Sequence, residues 1–189
     1  MAFGWEGDAV RLVPLEKERH VENALRWLND PVVTEWTLIG DFPLTRLAEQ
    51  EFFDRVAKAA EGASDIGFAI ETRAEDRDHI GFCGMHQISY RHGTAILGII
   101  VGRPELWSRG LGKDALRTLT RYAFDVTGLR LLMAEVFSEN ERSIRMMQAC
   151  GLREVARIAG RYWRRGAYRD VLLYTLSRDD WRQSCDGAS

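Results

Sequence analysis

The stretch Trp107-Ser108-Arg109-Gly110-Leu111-Gly112-Lys113-Asp114-Ala115 sets two glycines and two cations between an apolar run and a helical one. Ahead of it, Ile96-Leu97-Gly98-Ile99-Ile100-Val101 reads as a buried strand. Behind it, Ala115, Leu116, Leu119, Ala123 and Val126 recur at helical spacing as far as Gly128. The stretch is therefore a turn that opens a helix. Glycines let the backbone curl close to a ligand, and the free N–H groups of a first helical turn, backed by the helix dipole, favour a phosphate or pyrophosphate. Arg109 and Lys113 add positive charge.

Spacing separates three phosphate-binding turns that share these residue types. A Walker turn needs a glycine five positions before the Gly-Lys pair and a Ser or Thr after it, where this chain has Trp107 and Asp114. The dinucleotide fingerprint fits better, because Gly110-x-Gly112-x-x-Ala115 has its spacing and Glu135 follows in the next strand, near where a ribose-binding acid is sought. That reading predicts an oxidoreductase that binds NAD. It is set aside because Gly102 to Ser108 intervene between strand and turn, and too little chain follows Glu135 for further βα units.

The third reading covers more of the chain. The run from Gly98 to Gly151 resembles the GNAT superfamily of N-acetyltransferases, whose acetyl-CoA loop has the form Q/R-x-x-G-x-G/A between the fourth strand and the third helix. Trp107 stands at the Q/R place, and Trp followed by small-basic-Gly is similar to the branch that acetylates protein N-termini, notably of ribosomal proteins. The run Glu135 to Ile144, closing at Cys150-Gly151-Leu152, and the late Gly166-x-Tyr168-x-Asp170 hairpin resemble the same branch. The resemblance spans residues 8 to 182 and is strongest from 98 to 152. It implies one α/β domain, with a mixed, mostly antiparallel sheet of about seven strands splayed between strands four and five and flanked by about four helices. Residues 1–7 and 183–189 are then expected as flexible termini.

The implied activity is direct transfer of an acetyl group from acetyl-CoA to a primary amine in a ternary complex, with no metal. The acceptor is a protein N-terminus or a small-molecule amine. Such a transfer needs a neutral amine, a polarised carbonyl and a protonated leaving thiolate. Glu135, five residues before Asn140, matches the place of a proposed catalytic glutamate and is the candidate base. Many members protonate the thiolate with a tyrosine seven residues after the helix-four asparagine, but that position is Met147; Ser143, three after Asn140, is the candidate in its place. Ser143 and Asn140 also read as helix-capping residues. Backbone N–H groups near Ile99, Ile100 and Val101 would polarise the carbonyl and hold the pantetheine. The loop residues Trp107, Ser108, Arg109, Gly110, Leu111, Gly112 and Lys113, with Asn140 and Ser143, would hold the rest of acetyl-CoA.

Ile96 stands where relatives that acetylate polyamines or aminoglycosides often have a glutamate. Together with Met147 it leaves open a non-catalytic acyl-CoA sensor. By the resemblance, the acceptor lies beside the loop between helices one and two and the last hairpin, which supply Glu35, Trp36, Asp41, Tyr162, Trp163 and Tyr168. His86 is a secondary candidate for proton relay, and Arg161, Arg164, Arg165 and Arg169 form a basic run on the hairpin.

These residues need elements to position them. Val10 to Pro14 reads as a strand, Glu16 to Asn29 as a helix stopped by Asp30-Pro31, and Trp36 to Pro43 as a loop. Thr45 caps a second helix running to about Ala60. Ile66 to Thr72, His79 to Tyr90 and Thr94 to Val101 form an antiparallel meander, turning at Arg91-His92-Gly93. Leu131 to Phe137 is a strand, Asn140 to Cys150 a helix, and two strands meet around Arg165-Gly166.

Composition is compatible with all of this and selects none of it. With 189 residues and 46% hydrophobic content the chain suits one domain with a full core. A net charge of −2 gives no electrostatic case for nucleic acid or an anionic membrane. Cys83, Cys150 and Cys185 are too scattered for zinc or a disulfide framework and read as reduced thiols. The start has neither a basic region nor an apolar stretch, so a cytoplasmic protein is expected, and a homodimer is frequent in the family.

Overall fold

The computed structural model describes residues 5–57 and 62–186. Strand β1 (Val10–Pro14) leads into helices α1 (Lys17–Leu28) and α2 (Arg46–Ala57), followed by the meander β2 (Ile66–Thr72), β3 (His79–Ser89) and β4 (Thr94–Val101). A single 3-10 turn at Pro104–Leu106 precedes α3 (Leu111–Asp125). Then come β5 (Leu131–Phe137), α4 (Glu141–Ala149), the hairpin β6 (Arg153–Arg164) and β7 (Ala167–Ser177), and α5 (Arg178–Asp186). The seven strands form one sheet in the order β1-β2-β3-β4-β5-β7-β6. Every neighbouring pair is antiparallel except β4 and β5, which α3 joins as a crossover.

Each face of the sheet buries its own helices. On one face, Ala115, Leu116, Leu119 and Ala123 of α3 pack at helical spacing against Leu12, Ile70, Met85 and Leu132. On the other, Val21, Ala24 and Leu28 of α1 and Phe53 and Val56 of α2 close over Leu15 and Ala69. Thr45 caps α2 as expected, its hydroxyl accepting the Ala48 N–H at 3.2 Å. The expected end of α2 near Ala60 lies outside the described residues.

Four helices were expected, and a fifth closes the chain. Ser177 is its N-cap: Ser177 Oγ accepts the Asp180 N–H at 3.1 Å and donates to Asp180 Oδ2 at 2.7 Å. Trp181 then packs on Phe124, ring centroids 5.2 Å apart. At the other end Gly7 donates to the Val10 carbonyl, and Asp114 accepts the N–H groups of Asp8, Ala9 and Val10 at 3.1, 2.8 and 2.9 Å. The folded part of the chain therefore reaches beyond residues 8 to 182 at both ends.

Candidate active site

Pairing between β4 and β5 stops early. Thr94, Ala95 and Ile96 pair with Leu131, Leu132 and Met133, and beyond Ile96 the two strands part. The β5 side of Ile99, Ile100 and Val101 is left without a strand partner, although all three pair with β3 on the other side. A cleft of about 890 Å³ opens there and continues across the sheet beneath α1 and α2. Ile99, Ile100, Val101, Glu135, Asn140 and Ser143 line it together.

The glycine turn forms one end of the cleft. Gly110 sits at φ 85°, the left-handed conformation that costs a residue with a Cβ about 1 kcal/mol, and serves as the N-cap of α3. The first intrahelical bond runs from Asp114 N–H to the Gly110 carbonyl, so the N–H groups ahead of it face outward. Gly112 lies where a Cβ would come within 3.2 Å of Met146 and 3.5 Å of Val101, which lets α3 approach α4 and β4 closely. Ser108, Gly110, Gly112 and Lys113 line the cleft, whereas Arg109 lines a neighbouring pocket of about 220 Å³ with Lys113 and Arg117. Leu111, expected among the ligand-binding residues, turns its side chain into the core, so only its backbone faces the turn. Trp107 serves the strand: its indole donates to the Val101 carbonyl at 2.8 Å, and the Arg142 guanidinium stacks 3.6 Å above its ring.

Glu135 lies on β5 at the rim of the opening. Its carboxylate accepts from Arg161 at 3.0 Å and from the Tyr162 hydroxyl at 2.8 Å. Burial and the bond to Glu135 raise the Tyr162 pKa above its ordinary value. Across the cleft Asn140 is the N-cap of α4, its side chain accepting the Ser143 N–H at 3.1 Å. This cap leaves the Ser143 hydroxyl without a partner among the described residues. Met147 is buried in the core. The Cys150 thiol donates to the Lys113 carbonyl at 3.6 Å, and burial pushes its pKa up to about 11, far from a thiolate nucleophile.

The acceptor side differs from the sequence expectation. Trp36 and Tyr162 line the cleft, but Trp163 and Tyr168 meet edge to face, centroids 5.1 Å apart, on the exposed hairpin. Asp41 is taken by Arg164, which is itself 2% exposed and also donates to the carbonyls of Thr34 and Ile39. Arg164 is thus a latch that holds the loop between α1 and α2 against the last hairpin. His86 lines the cleft paired to Asp65 at 3.2 Å. Glu49, one turn into α2, also lines the cleft; it is 4% exposed, and no hydrogen bond or ion pair from the described residues reaches its carboxyl. Burial alone pushes its pKa up to about 7.

Residues 9–153 match the family model described as an acetyltransferase (GNAT) domain. The chain belongs to the GNAT acetyltransferase family. The uncharacterized N-acetyltransferase YoaA of Bacillus subtilis is 27% identical over 111 residues, 59% of this chain and 62% of that protein, so the match spans less than two thirds of that relative. FsC-acetyl coenzyme A-N(2)-transacetylase of Aspergillus fumigatus is 30% identical over 181 residues, 91% of this chain and 75% of that one. Among solved structures, spermidine N-acetyltransferase from Vibrio cholerae in complex with CoA and spermine superposes with a TM-score of 0.81 at 18% identity, covering 92% of this chain and 98% of that one.

As a GNAT acetyltransferase the chain is an acetyl-CoA-dependent acyltransferase, and the dinucleotide reading of its glycine turn falls. The site has the features an acyl-CoA requires: a parted strand with free backbone donors, outward N–H groups at a helix start, and cations beside them. Among the described residues no group of three His, Cys, Asp or Glu could hold a metal. The sequence reading passed over Arg164 as a latch and Glu49 entirely. Arg164 carried no local signal, because its partners lie more than a hundred residues away.

Proposed function

We propose that this enzyme acetylates a small-molecule primary amine, with Glu135 as the base and Ser143 as the group that meets the leaving sulfur. One observation carries the reading: the parted strands β4 and β5 place a side-chain-held carboxylate and an unbonded hydroxyl on the rim of one opening beside the α3 N-terminus. When bound, acetyl-CoA supplies an activated thioester. Glu135 accepts the proton of the incoming ammonium, either directly or through water. Backbone N–H groups in the Ile99 to Val101 stretch polarise the carbonyl, at about 3 kcal/mol of transition-state stabilisation per donor. As the C–N bond forms and the C–S bond breaks, the nitrogen gives up its second proton to the departing thiolate, whose sulfur the Ser143 hydroxyl hydrogen-bonds. Arg161 and Tyr162 fix the direction of the Glu135 carboxylate throughout.

A small acceptor is favoured over a ribosomal-protein N-terminus by the Arg164 latch, which holds the loop carrying Thr37, Leu38 and Ile39 over the cleft. The names of the relatives that act on spermidine and on FsC point the same way. Cytoplasmic residence, expected from composition, and homodimerisation, expected from the resemblance, are checked by fractionation and sedimentation. Free-thiol release from acetyl-CoA across a panel of amines and N-terminal peptides tests the activity; loss of turnover in Glu135→Gln and Ser143→Ala tests the roles. A second reading, an acyl-CoA sensor without chemistry, is favoured by the buried Met147 where a tyrosine acid is usual. Tight acetyl-CoA binding with no thiol release from any amine would decide for it.

A further inference from the structure

Three glycines lie side by side across three strands. Gly67 of β2 pairs with Gly84 of β3, which pairs with Gly98 of β4, so all three share one face of the sheet. It is the face that α1 and α2 cover: a Cβ on Gly67 would touch Leu15 and Val56, and one on Gly98 would meet His86 at 3.0 Å. All three glycines line the cleft. The row therefore floors a trench that runs from the parted strands to the underside of α2, with Phe52, Phe53, Phe82 and Leu44 among its walls. Glu49 of α2 lines it too, buried and with no partner among the described residues.

An unpaired carboxyl in an apolar trench weakens the fold unless something pairs with it. The charged groups around it are engaged elsewhere: Arg46 of α2 with Glu22 of α1, Lys17 of α1 with Asp54 of α2, and His86 of β3 with Asp65. None of them contributes to the Glu49 shift. Gly67, Gly84 and Gly98 span two strand spacings, about 10 Å, and the parting of β4 from β5 adds to that before the Glu135 rim is reached. Glu135 and Glu49 are thus the two carboxyls of one elongated cleft, with apolar surface between them.

We propose that the acceptor is an elongated amine with a cationic group at each end and an apolar body between, and that Glu49 binds the end that does not react. This rests on the acetyltransferase reading and narrows its acceptor. Glu49 is a binding residue and takes no part in the bond-making step. A polyamine of the same length is disfavoured, because its internal ammonium would lie unpaired over the glycine floor and aromatic walls. Pairing with a cation ionises Glu49, so at pH 6, where the free group is mostly protonated, binding expels a proton from it.

Diaminooctane, octylamine and spermidine test this, since diaminooctane and spermidine have the same number of chain atoms between terminal nitrogens. Each is titrated calorimetrically into the CoA-loaded protein at pH 6 in two buffers of different ionisation enthalpy. The native protein is expected to bind diaminooctane about tenfold more tightly than octylamine or spermidine. It should release about one proton more than Glu49→Gln does, and Glu49→Gln should lose the preference. In turnover with acetyl-CoA, Glu49→Gln should raise KM for diaminooctane about tenfold and leave kcat within about twofold. Equal binding of the three amines, no binding of diaminooctane, or the same proton release in both proteins would overturn the proposal. Normal thiol release with an unaltered preference in Glu49→Gln sinks this inference alone. Binding that follows the prediction without thiol release from any amine sinks the acetyltransferase reading and leaves the Glu49 site standing.

Discussion

Glu135 and Glu49 line the same cleft and are held in opposite ways. The Glu135 side chain is 26% exposed and gripped by Arg161 and Tyr162; Glu49 is 4% exposed and gripped by nothing among the described residues. A carboxylate with two fixed donors keeps one orientation, as a group that must meet a reacting nitrogen requires. A carboxyl left alone in an apolar trench changes charge with what lies beside it. The difference separates chemistry from recognition within one pocket, and substitutions on either side can break it.

The largest effect is expected at Glu135. Glu135→Gln keeps the shape and the bond from Tyr162 but cannot accept the ammonium proton, so kcat should fall about 100-fold or more. KM should change little, because the amide still fills the rim. A fall of less than about threefold would move the base to a water chain and remove one half of the comparison.

Arg164→Ala should come next. The guanidinium is buried and ties Asp41, Thr34 and Ile39 to the hairpin, so its loss should destabilise the fold by about 2 kcal/mol and loosen the loop over the trench. The kinetic signature is a raised KM for the acceptor with kcat and acetyl-CoA affinity nearly unchanged. If kcat for acetyl transfer falls along with the raised KM, the latch also shapes the Glu135 end, and the two ends are not independent.

These two residues show what the sequence could and could not disclose. The strand bounds at Val10–Pro14, Ile66–Thr72, Thr94–Val101 and Leu131–Phe137 were readable because runs of β-branched and apolar residues end at turn residues. The glycine turn was readable because its ligand-facing surface is backbone, and glycine spacing reports backbone. Glu49 was not, because it stands beside Gln50 and Glu51 on a helix where only packing distinguishes the buried carboxyl from the exposed one. The trench floor needed register: Gly67, Gly84 and Gly98 are unremarkable until three strands align them. The N-cap at Ser177 is legible in the sequence, but the apolar spacing after it is too short to mark α5, whose last turn falls in residues expected as a flexible terminus.

A smaller effect is expected at Tyr162. Tyr162→Phe removes one of the two donors that orient Glu135 and leaves the ring against Phe137, 6.2 Å between centroids. A drop in kcat of about tenfold is expected, with KM for the acceptor nearly unchanged, because the carboxylate keeps only one of the two donors that aim it. A raised KM with the same drop would assign Tyr162 to acceptor contact instead.

The smallest effect is in stability, and it tests why Glu49 is there at all. Burial raises its pKa from the ordinary 4.5 to about 7, so between those values the unfolded chain has released a proton that the folded chain still holds. The folded state binds more protons, and stability therefore falls as pH rises through this window. Below it both states are protonated and nothing is lost; above it both are ionised and the full penalty remains. Glu49→Gln removes the ionisation, so its melting temperature relative to the native protein should climb by several degrees from pH 5 to pH 8. The amide has a burial cost of its own, which shifts the offset between the two proteins but not its slope with pH. Saturating diaminooctane should reverse the order at pH 8, since the cation restores the partner that the native carboxylate lacks. A flat difference across the same pH range would mean that water already solvates Glu49 in the trench, and an apolar wall there could not select against an internal charge.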